Sequence, residues 1–284
     1  MQGVGLSRNA TLDKFYTKKE VAFTCIDAVH NLHDLTSFDI VLEPAAGSGA
    51  FSLPLKAMLG ERLIAFDIAP EHESIVQQDF FTMPLESLEK WGSQRTLVIS
   101  NVPFGRQGTL ARRFVKQSCS FASVIAFILP RSFKKQSLQK ALPLKWHLVH
   151  ETDLPEDAFE VNGGKHSVPC VFQIWEKRDM CREQHVKVEP EGYTFVKKNM
   201  PLDIIIRRVG VYAGKACVAA TEKDGKNAAT HYFIKLDDGI AARKEEIGVR
   251  INSHLWEFNN TVGPRSLSKY EMIPIINKIV LELP

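Results

Sequence analysis

Ser100-Asn101-Val102-Pro103-Phe104-Gly105 sets a polar amide, a rigid turn and an aromatic ring directly after the apolar residues 96–99. A strand that ends in this way presents its last residues at the carboxyl edge of a sheet, where open α/β folds bind ligands. The side-chain oxygen of Asn101 accepts hydrogen bonds, Pro103 fixes the direction of the preceding carbonyl, and Phe104 offers a flat face. Together they suit a planar heterocycle bearing an exocyclic NH2, which donates to the Asn101 oxygen and the Val102 carbonyl while its ring stacks on Phe104. An amine held like this becomes a better nucleophile without a strong base, so the chemistry indicated is alkylation of a base amine. The competing reading of so short a stretch is a strand-end turn with no ligand, and the remaining residues have to decide between the two.

A second constellation lies upstream. Residues 38–42 read as a short apolar strand that runs into Glu43-Pro44-Ala45-Ala46-Gly47-Ser48-Gly49-Ala50-Phe51. Gly47 and Gly49, with small alanines before them, let the backbone turn sharply and approach a ligand before a helix over 50–59, for which Gly60 suits the C-cap. Such a turn also binds dinucleotides, although the Gly-x-Gly-x-x-Gly of dehydrogenases is absent. A second strand over 62–66 ends in Asp67, close to the spacing at which a carboxylate takes ribose hydroxyls, with Ile68 beside it to flank an adenine ring. A third short strand over 75–77 leads to Asp79-Phe80. Acids thus stand at three successive strand ends, which is harder to obtain by accident than any one of them.

The Asn101–Phe104 tetrapeptide resembles the Asn-Pro-Pro-Tyr/Phe signature of amino-methyltransferases that use S-adenosylmethionine, chiefly the adenine-N6 enzymes acting on DNA or RNA. Val102 stands where most members carry proline. Asn-Ile/Leu-Pro-Tyr/Phe variants occur in the ribosomal-RNA adenine dimethyltransferases, so the departure keeps adenine and blurs DNA against RNA. The Glu/Asp-Pro-x-x-Gly-x-Gly pattern from Glu43 to Gly49 resembles the first motif of these enzymes. Asp79-Phe80 resembles the motif that contacts the cofactor base, through its amine and its ring face respectively. Phe15-Tyr16-Thr17 resembles their N-terminal cofactor motif, in which an aromatic pair and a hydroxyl lie over the methionine end; a hydrophobic staple at a helix start is the other reading of that segment.

The resemblance, which covers about residues 11–178, implies S-adenosyl-L-methionine as the cofactor and no metal. Glu43 would accept from its α-amino group, with Ala45, Gly47, Gly49 and Phe51 forming the turn around it. Asp67, Ile68, Asp79 and Phe80 would hold the adenosine, and Phe15, Tyr16 and Thr17 would close over the methionine end beside Asn101. The implied reaction is methyl transfer to adenine N6 in nucleic acid, DNA favoured, with Asn101, Val102, Pro103 and Phe104 holding the amine. Gly105, Arg106 and Arg131 are candidates on the substrate side. An RNA adenine methyltransferase, an enzyme modifying a protein glutamine amide, and an inactive nucleic-acid-binding subunit of the same fold are the alternatives. The motif order resembles the γ arrangement of DNA amino-methyltransferases.

Around these motifs the hydrophobic spacing predicts a helix over 18–30, with Val21, Ala22, Cys25, Ile26 and Val29 on one face and a Thr17/Glu20 capping box. Helices are expected over 85–91, 110–118 and 133–142, and strands over 96–99, 124–129, 146–150 and 168–175. Counting strands gives a doubly wound, seven-stranded Rossmann-like methyltransferase sheet, the last strand antiparallel in a hairpin with its neighbour as the resemblance implies. Between the last two strands the loop Asn162-Gly163-Gly164-Lys165-His166 permits a tight turn; Lys165 and His166 are candidates for a phosphate, and Phe159 for stacking opposite Phe104. A hairpin tip of no consequence is the alternative. Past residue 178, the polar stretch 179–191 reads as a linker to a small, mainly β C-terminal region at about 187–284. Its strands are expected over 204–212, 216–219 and 231–236, with a turn over 223–227. A Ser268/Glu271 capping box opens a final helix through residue 279. In the resembling enzymes such an addition reads the target, for which Arg207, Arg208, Lys215 and Arg265 are candidates.

The formal net charge of +3 names no partner, but its distribution is uneven. Between Glu89 and Glu151 stand eleven basic residues (Lys90, Arg95, Arg106, Arg112, Arg113, Lys116, Arg131, Lys134, Lys135, Lys140, Lys145) and no Asp or Glu. A one-sign block around the Asn101 turn favours a polyphosphate ligand, DNA or RNA; solvated helix faces are the plainer explanation. The composition, 44% hydrophobic and 24% charged, is that of an ordinary globular chain with a full core. Five scattered cysteines without a Cys-x-x-Cys pair read as reduced thiols, and the histidines show no metal-ligand spacing. With no apolar signal core at residues 1–11 and no run long enough to cross a bilayer, the expected location is cytoplasmic, or nuclear in a eukaryotic source.

Overall fold

The computed structural model describes residues 15–161, 164–166, 168–183, 187–218 and 225–283. The turn expected at Asn162-Gly163, the first two residues of that at 223–227, and the stretch before residue 15 lie outside the described residues. The chain divides into two units, Met1–Glu183 and Gln184–Pro284.

In the first unit the elements are β1 (Tyr16–Thr17), α1 (Lys19–Leu32), β2 (Ile40–Glu43), α2 (Ser52–Leu59), β3 (Leu63–Asp67), β4 (Val76–Gln77), α3 (Leu85–Gly92), β5 (Thr96–Asn101), α4 (Thr109–Phe121), β6 (Val124–Pro130), α5 (Gln136–Gln139), β7 (Trp146–Asp153), β8 (Phe159–Val161), β9 (Gly164–His166) and β10 (Cys170–Lys177). The strands β4-β3-β2-β5-β6-β10-β7 form one seven-stranded sheet in that order. The pairs from β4 to β6 are parallel, and β10 is antiparallel to both β6 and β7. This is the doubly wound methyltransferase sheet with its antiparallel terminal hairpin. β2, β5 and β6 are apolar nearly throughout and buried along their length because helices cover both faces, as parallel sheets require. α1 turns its buried Val21, Ala22, Cys25, Ile26 and Val29 into this core at the spacing of one helical face.

After β2 the chain winds to β3 and β4 on one side; β5 and β6 lie on the other. The turns leaving β2 and β5 therefore diverge, and a crevice opens at their carboxyl ends, the topological switch point at which such sheets take ligands.

Local rules give way to tertiary pairing in three places. Thr17 is no N-cap: it is buried in β1 opposite Phe159, and Lys18 takes the cap position without a side-chain hydrogen bond. The helix expected over 133–142 is broken by the extended Lys135 into a 3-10 turn, Arg131–Lys134, and the short α5. The guanidinium of Arg182 donates to the carbonyls of Gln139, Leu142, Pro143 and Trp146, satisfying acceptors at the end of α5 and beyond it that no helix would bond internally. The expected loop over 154–169 contains the antiparallel pair β8 and β9, and β1 joins them as a three-stranded sheet.

The second unit holds β11 (Tyr193–Val196), β12 (Ile204–Arg207), β13 (Ala216–Val218), β14 (His231–Leu236), α6 (Asp238–Ala241), α7 (Lys244–Ser253) and α8 (Lys269–Leu281). Its strands form a four-stranded antiparallel sheet in the order β11-β14-β12-β13. Ile247 and Ile251 of α7 and Met272 and Ile276 of α8 share a core with Ile204, Ile206 and Ile234 of the sheet. The Ser268/Glu271 capping box is present at the start of α8. β11 and α7 were not expected from the sequence pattern.

The turn between β2 and α2 depends on its two glycines for different reasons. Gly49 has φ +93°, and a Cβ there would lie 2.8 Å from Leu53 Cγ. Gly47 has φ +52°, with no atom within 4 Å of its would-be Cβ. Gly49→Ala is expected to cost about 1–3 kcal/mol of stability, from backbone strain and the clash together. Gly47→Ala is expected to cost about 1 kcal/mol, from the left-handed backbone alone. Urea unfolding of the ligand-free variants checks this, and equal losses would contradict the geometry.

Candidate functional site

At the carboxyl ends of β2, β3 and β5 the first unit encloses a cavity of about 320 Å³. That volume falls within the roughly 300–1,000 Å³ of small-molecule sites. Each strand end contributes through its own turn. Ala45 and Gly47 follow β2, Asp67 and Ile68 end β3, Asp79 and Phe80 follow β4, and Asn101, Val102, Pro103, Phe104 and Gly105 end β5; Phe15 and Tyr16 line it from the N-terminal side. These residues, scattered over the sequence, are brought together.

Asp67 fixes the glycine turn. Its Oδ2 accepts from the Gly47 N–H at 2.9 Å and its Oδ1 from the Ala69 N–H at 2.8 Å. Each carboxylate oxygen keeps a further lone pair for a ligand. Asp79 caps the short turn Phe80–Thr82, Oδ1 accepting from the Phe81 N–H at 2.8 Å. The Phe80 ring stacks on Phe114 of α4 at 5.3 Å between centroids, and the Arg113 guanidinium lies 4.1 Å from the centre of the Phe81 ring. The result is an aromatic end and an acidic flank within one cavity.

The Asn101 side chain is oriented by a single bond: Nδ2 donates to the Phe15 carbonyl at 3.0 Å. Among the described residues one Nδ2 proton and Oδ1 keep no bond, and Asn101 lines the cavity. Ser100 Oγ donates to the Ala45 carbonyl at 3.3 Å, tying β5 to the glycine turn. Val102 is only 1% exposed, so its branched side chain serves the core, which accounts for an apolar residue there. The Phe104 carbonyl accepts from the Leu110 and Ala111 N–H groups and so anchors the start of α4. Its ring stacks on Phe15 at 6.5 Å with 22° between planes. Tyr16 donates through its hydroxyl to Glu71 Oε1 at 2.7 Å, tying the N-terminal segment to the segment after β3.

Other expected residues stand elsewhere. Glu43 is buried behind the turn and is not part of the cavity wall. Burial pushes its carboxyl well above the usual range, Ser52 at the start of α2 opposes this through its hydroxyl and N–H, and the negative charge of Asp67 adds to the rise. Neither Glu43 Oε2 nor Ser52 Oγ has a hydrogen bond of good geometry. Gly49 and Phe51 are buried in the turn that supports the wall, and Thr17 in β1. Phe159 is fully buried and meets the Phe15 ring edge-on at 6.1 Å, so it reaches the site only through Phe15. Arg106 is exposed on the turn after Gly105, and Arg131 pairs with Asp153 at 3.2 Å. Lys165 and His166 lie in β9.

Sequence reasoning missed Pro44, Ala69, Glu71, Gln78 and Phe81 in the wall, and Leu110, Arg113 and Phe114 from α4. The immediate neighbours of the motifs were within reach of closer reading. The α4 residues carried no local signal, since only the packing of that helix beside β5 brings them in. Among the described residues no three His, Cys, Asp or Glu side chains converge as a metal site would need. Nor is any helix among them long and apolar enough to cross a membrane.

No family model and no curated protein matches the chain. Solved structures do. A provisionally assigned modification subunit of a type I restriction enzyme from Vibrio vulnificus YJ016 is 13% identical with a TM-score of 0.46, over 97% of this chain and 63% of that one. The 23S rRNA methyltransferase ErmE is 16% identical with a TM-score of 0.41, over 61% and 73%. TrmN from Thermus thermophilus is 19% identical with a TM-score of 0.37, over 56% and 52%. At these identities and scores the site has to be read from this chain's own geometry.

Proposed function

We propose that the chain is an S-adenosylmethionine-dependent methyltransferase whose acceptor is the exocyclic amine of a base, adenine N6 in nucleic acid. The observation that carries this reading is the Asn101 amide at the switch point: one of its two Nδ2 protons is engaged by the Phe15 carbonyl, which leaves Oδ1 to accept from a ligand in the cavity that Asn101 lines.

The residues fit the cofactor. A cation suits a wall bearing Asp67, Asp79 and Glu71. A purine suits Ile68, Phe80 and Phe114, and the open space over Gly47 admits a ligand where a Cβ would stand. When bound, S-adenosylmethionine supplies a methyl group activated by its sulfonium charge. The chain's own residues do the rest. Asn101 Oδ1 and the Val102 carbonyl accept from the amine and orient its lone pair, while Phe104 holds the ring plane. Orientation supplies most of the acceleration, and the surplus proton leaves after transfer, so no general base is needed. An acceptor base within a duplex has to leave the stack to reach this cavity. DNA was favoured on motif order; with the Val102 side chain buried, the site suits the RNA-type variants of the motif equally, so both polymers belong in the assay.

Asn101→Ala is expected to lower methyl transfer by about 10²-fold or more, the scale of losing one oriented polar group at a reacting centre. Cofactor affinity should change far less. Labelled-methyl transfer to single-stranded RNA, single-stranded DNA and duplex DNA, with calorimetry for the cofactor, reads both. Full activity in the variant would remove Asn101 from the reaction.

Glu43 makes a pH-dependent prediction. Its carboxyl is held above its ordinary value of 4.5, so between that pH and its own ionisation the native state keeps a proton that the unfolded chain has released. Stability of the ligand-free protein should therefore fall as pH rises through that window. Glu43→Gln should flatten the fall and raise the melting temperature at neutral pH, yet weaken cofactor binding, and more so at higher pH, where the native carboxyl ionises against the cation. Melting curves across about pH 5–8 with and without cofactor test this; a variant that is less stable at neutral pH and binds cofactor unchanged would contradict it.

A further inference from the structure

The basic block of the sequence is not uniformly available. Lys134 pairs with Asp153 at 2.7 Å, Arg131 pairs with the same carboxylate, and Arg95 lies over the Phe38 ring and donates to Ser37. Arg106, Arg112 and Lys116 are all exposed, and no ion pair forms with any of them among the described residues. Glu86 and Glu89 are on α3, which packs beside α4, yet neither pairs with these cations.

Their placement follows from the fold. Arg112 and Lys116 stand four residues apart on α4, hence on one helical face, while Ala111, Phe114, Val115, Ser118 and Cys119 are buried on the other. Arg106 stands on the turn between Asn101 and that helix. This turn is held in an unusual backbone: Gly105, Gln107 and Gly108 have φ +65°, +55° and +70°, and Gln107 is a side-chain-bearing residue in the left-handed region. The Gly108 N–H donates to the Gly105 carbonyl at 3.2 Å, and Thr109 Oγ1 donates to the Arg106 carbonyl at 2.9 Å. A Cβ on Gly105 would lie 2.8 Å from Leu110 Cβ, so turn and helix are seated together. Strained turns of this kind persist where the surrounding structure fixes them, and they cluster at functional sites.

We propose that Arg106, Arg112 and Lys116 form a phosphate-gripping face that seats the acceptor strand beside Asn101, a surface for the phosphodiester backbone of RNA or DNA. The proposal rests on the nucleic-acid reading of the site above. Three unpaired cations of one sign, immediately after the amine-binding turn and without an exposed apolar group among them, match a polyanion rather than a hydrophobic partner. Contacts of this type position a strand without reading its sequence.

The test uses the full chain with labelled single-stranded RNA, single-stranded DNA and duplex DNA, binding being followed by fluorescence anisotropy from about 50 to 200 mM salt. The variants are Arg112→Ala/Lys116→Ala, the charge-preserving Arg112→Lys/Lys116→Arg, and a control, Lys90→Ala/Lys145→Ala, that removes two exposed cations elsewhere. For whichever polymer the wild type binds, the alanine pair should weaken binding about tenfold or more and make the slope of log K against log salt shallower by about 1–2. The charge-preserving pair and the control should keep the wild-type slope. A wild-type slope in the alanine pair, displacement of the strand by polyglutamate at equal charge, or a wild type that binds cofactor but none of the three polymers would each overturn the proposal. Cofactor affinity, measured separately, should be unchanged in all variants. A wild type that binds strands but no cofactor would sink the methyltransferase reading while leaving this surface in place.

Discussion

One carboxylate determines whether the crevice between β2 and β5 has a defined floor. The regular pairing of β2 with β3 stops at Glu43 opposite Ala65, and beyond that register the two chains part. Asp67 spans the gap by accepting from Gly47 on one side and Ala69 on the other. Bonds from backbone N–H groups to an ionised carboxylate are among the stronger hydrogen bonds available to a protein. The Ala46 N–H to the Phe66 carbonyl and Ser100 Oγ to the Ala45 carbonyl complete the anchoring, so the glycine turn is held from both neighbouring strands. A turn free to wander would close over the cavity or fold into it. This one is fixed before any ligand arrives, which is the condition under which binding energy goes into orienting reactants rather than ordering the loop.

The opposite wall is tied to a different part of the chain. Asn101 spends its donor on Phe15, the Phe15 ring lies between Phe104 and Phe159, and β1 pairs with β8 just beyond it. The Phe15–Thr17 segment and the Asn101 amide are therefore one mechanical unit. A shift of β1 away from β8 would release the Asn101 amide as well as open the cavity. Phe159, fully buried, serves this unit as a backstop for Phe15.

The sheet was legible because β2, β3 and β5 are short apolar runs that end in Glu43, Asp67 and Asn101, and Asp79 stands two residues past the short, exposed β4. Helix faces such as Val21, Ala22, Cys25, Ile26 and Val29 were legible from spacing alone. What escaped depended on partners distant in sequence. Thr17 has the local chemistry of an N-cap but pairs with Phe159, more than a hundred residues away. The segment after Phe133 has helical periodicity, but Arg182 captures its carbonyls from beyond β10. In the site, Glu71 and Arg113 enter only because β3 and α4 pack where they do. Local sequence thus located the strand ends, while the walls between them were set by tertiary packing that no local rule encodes.

Charge in the first unit is sorted by depth, and the sorting has a consequence for how two ligands can occupy one site. The carboxyl groups of Asp67, Glu71 and Asp79 line the cavity together with Arg113, while Arg106, Arg112 and Lys116 are exposed outside its lining. Oppositely signed groups this near in a fold usually pair, as Lys134 and Asp153 do at 2.7 Å. Here Phe80, Phe81 and Phe114 pack against one another in the lining, and Arg113 is held over Phe81 rather than against an acid. Three carboxylates to one guanidinium leave the cavity lining negative on balance, while the exposed cations beyond it set a positive field. The stretch between Glu89 and Glu151, which carries no Asp or Glu, supplies those exposed cations, the aromatic side chain of Phe114 and the turn that follows Asn101.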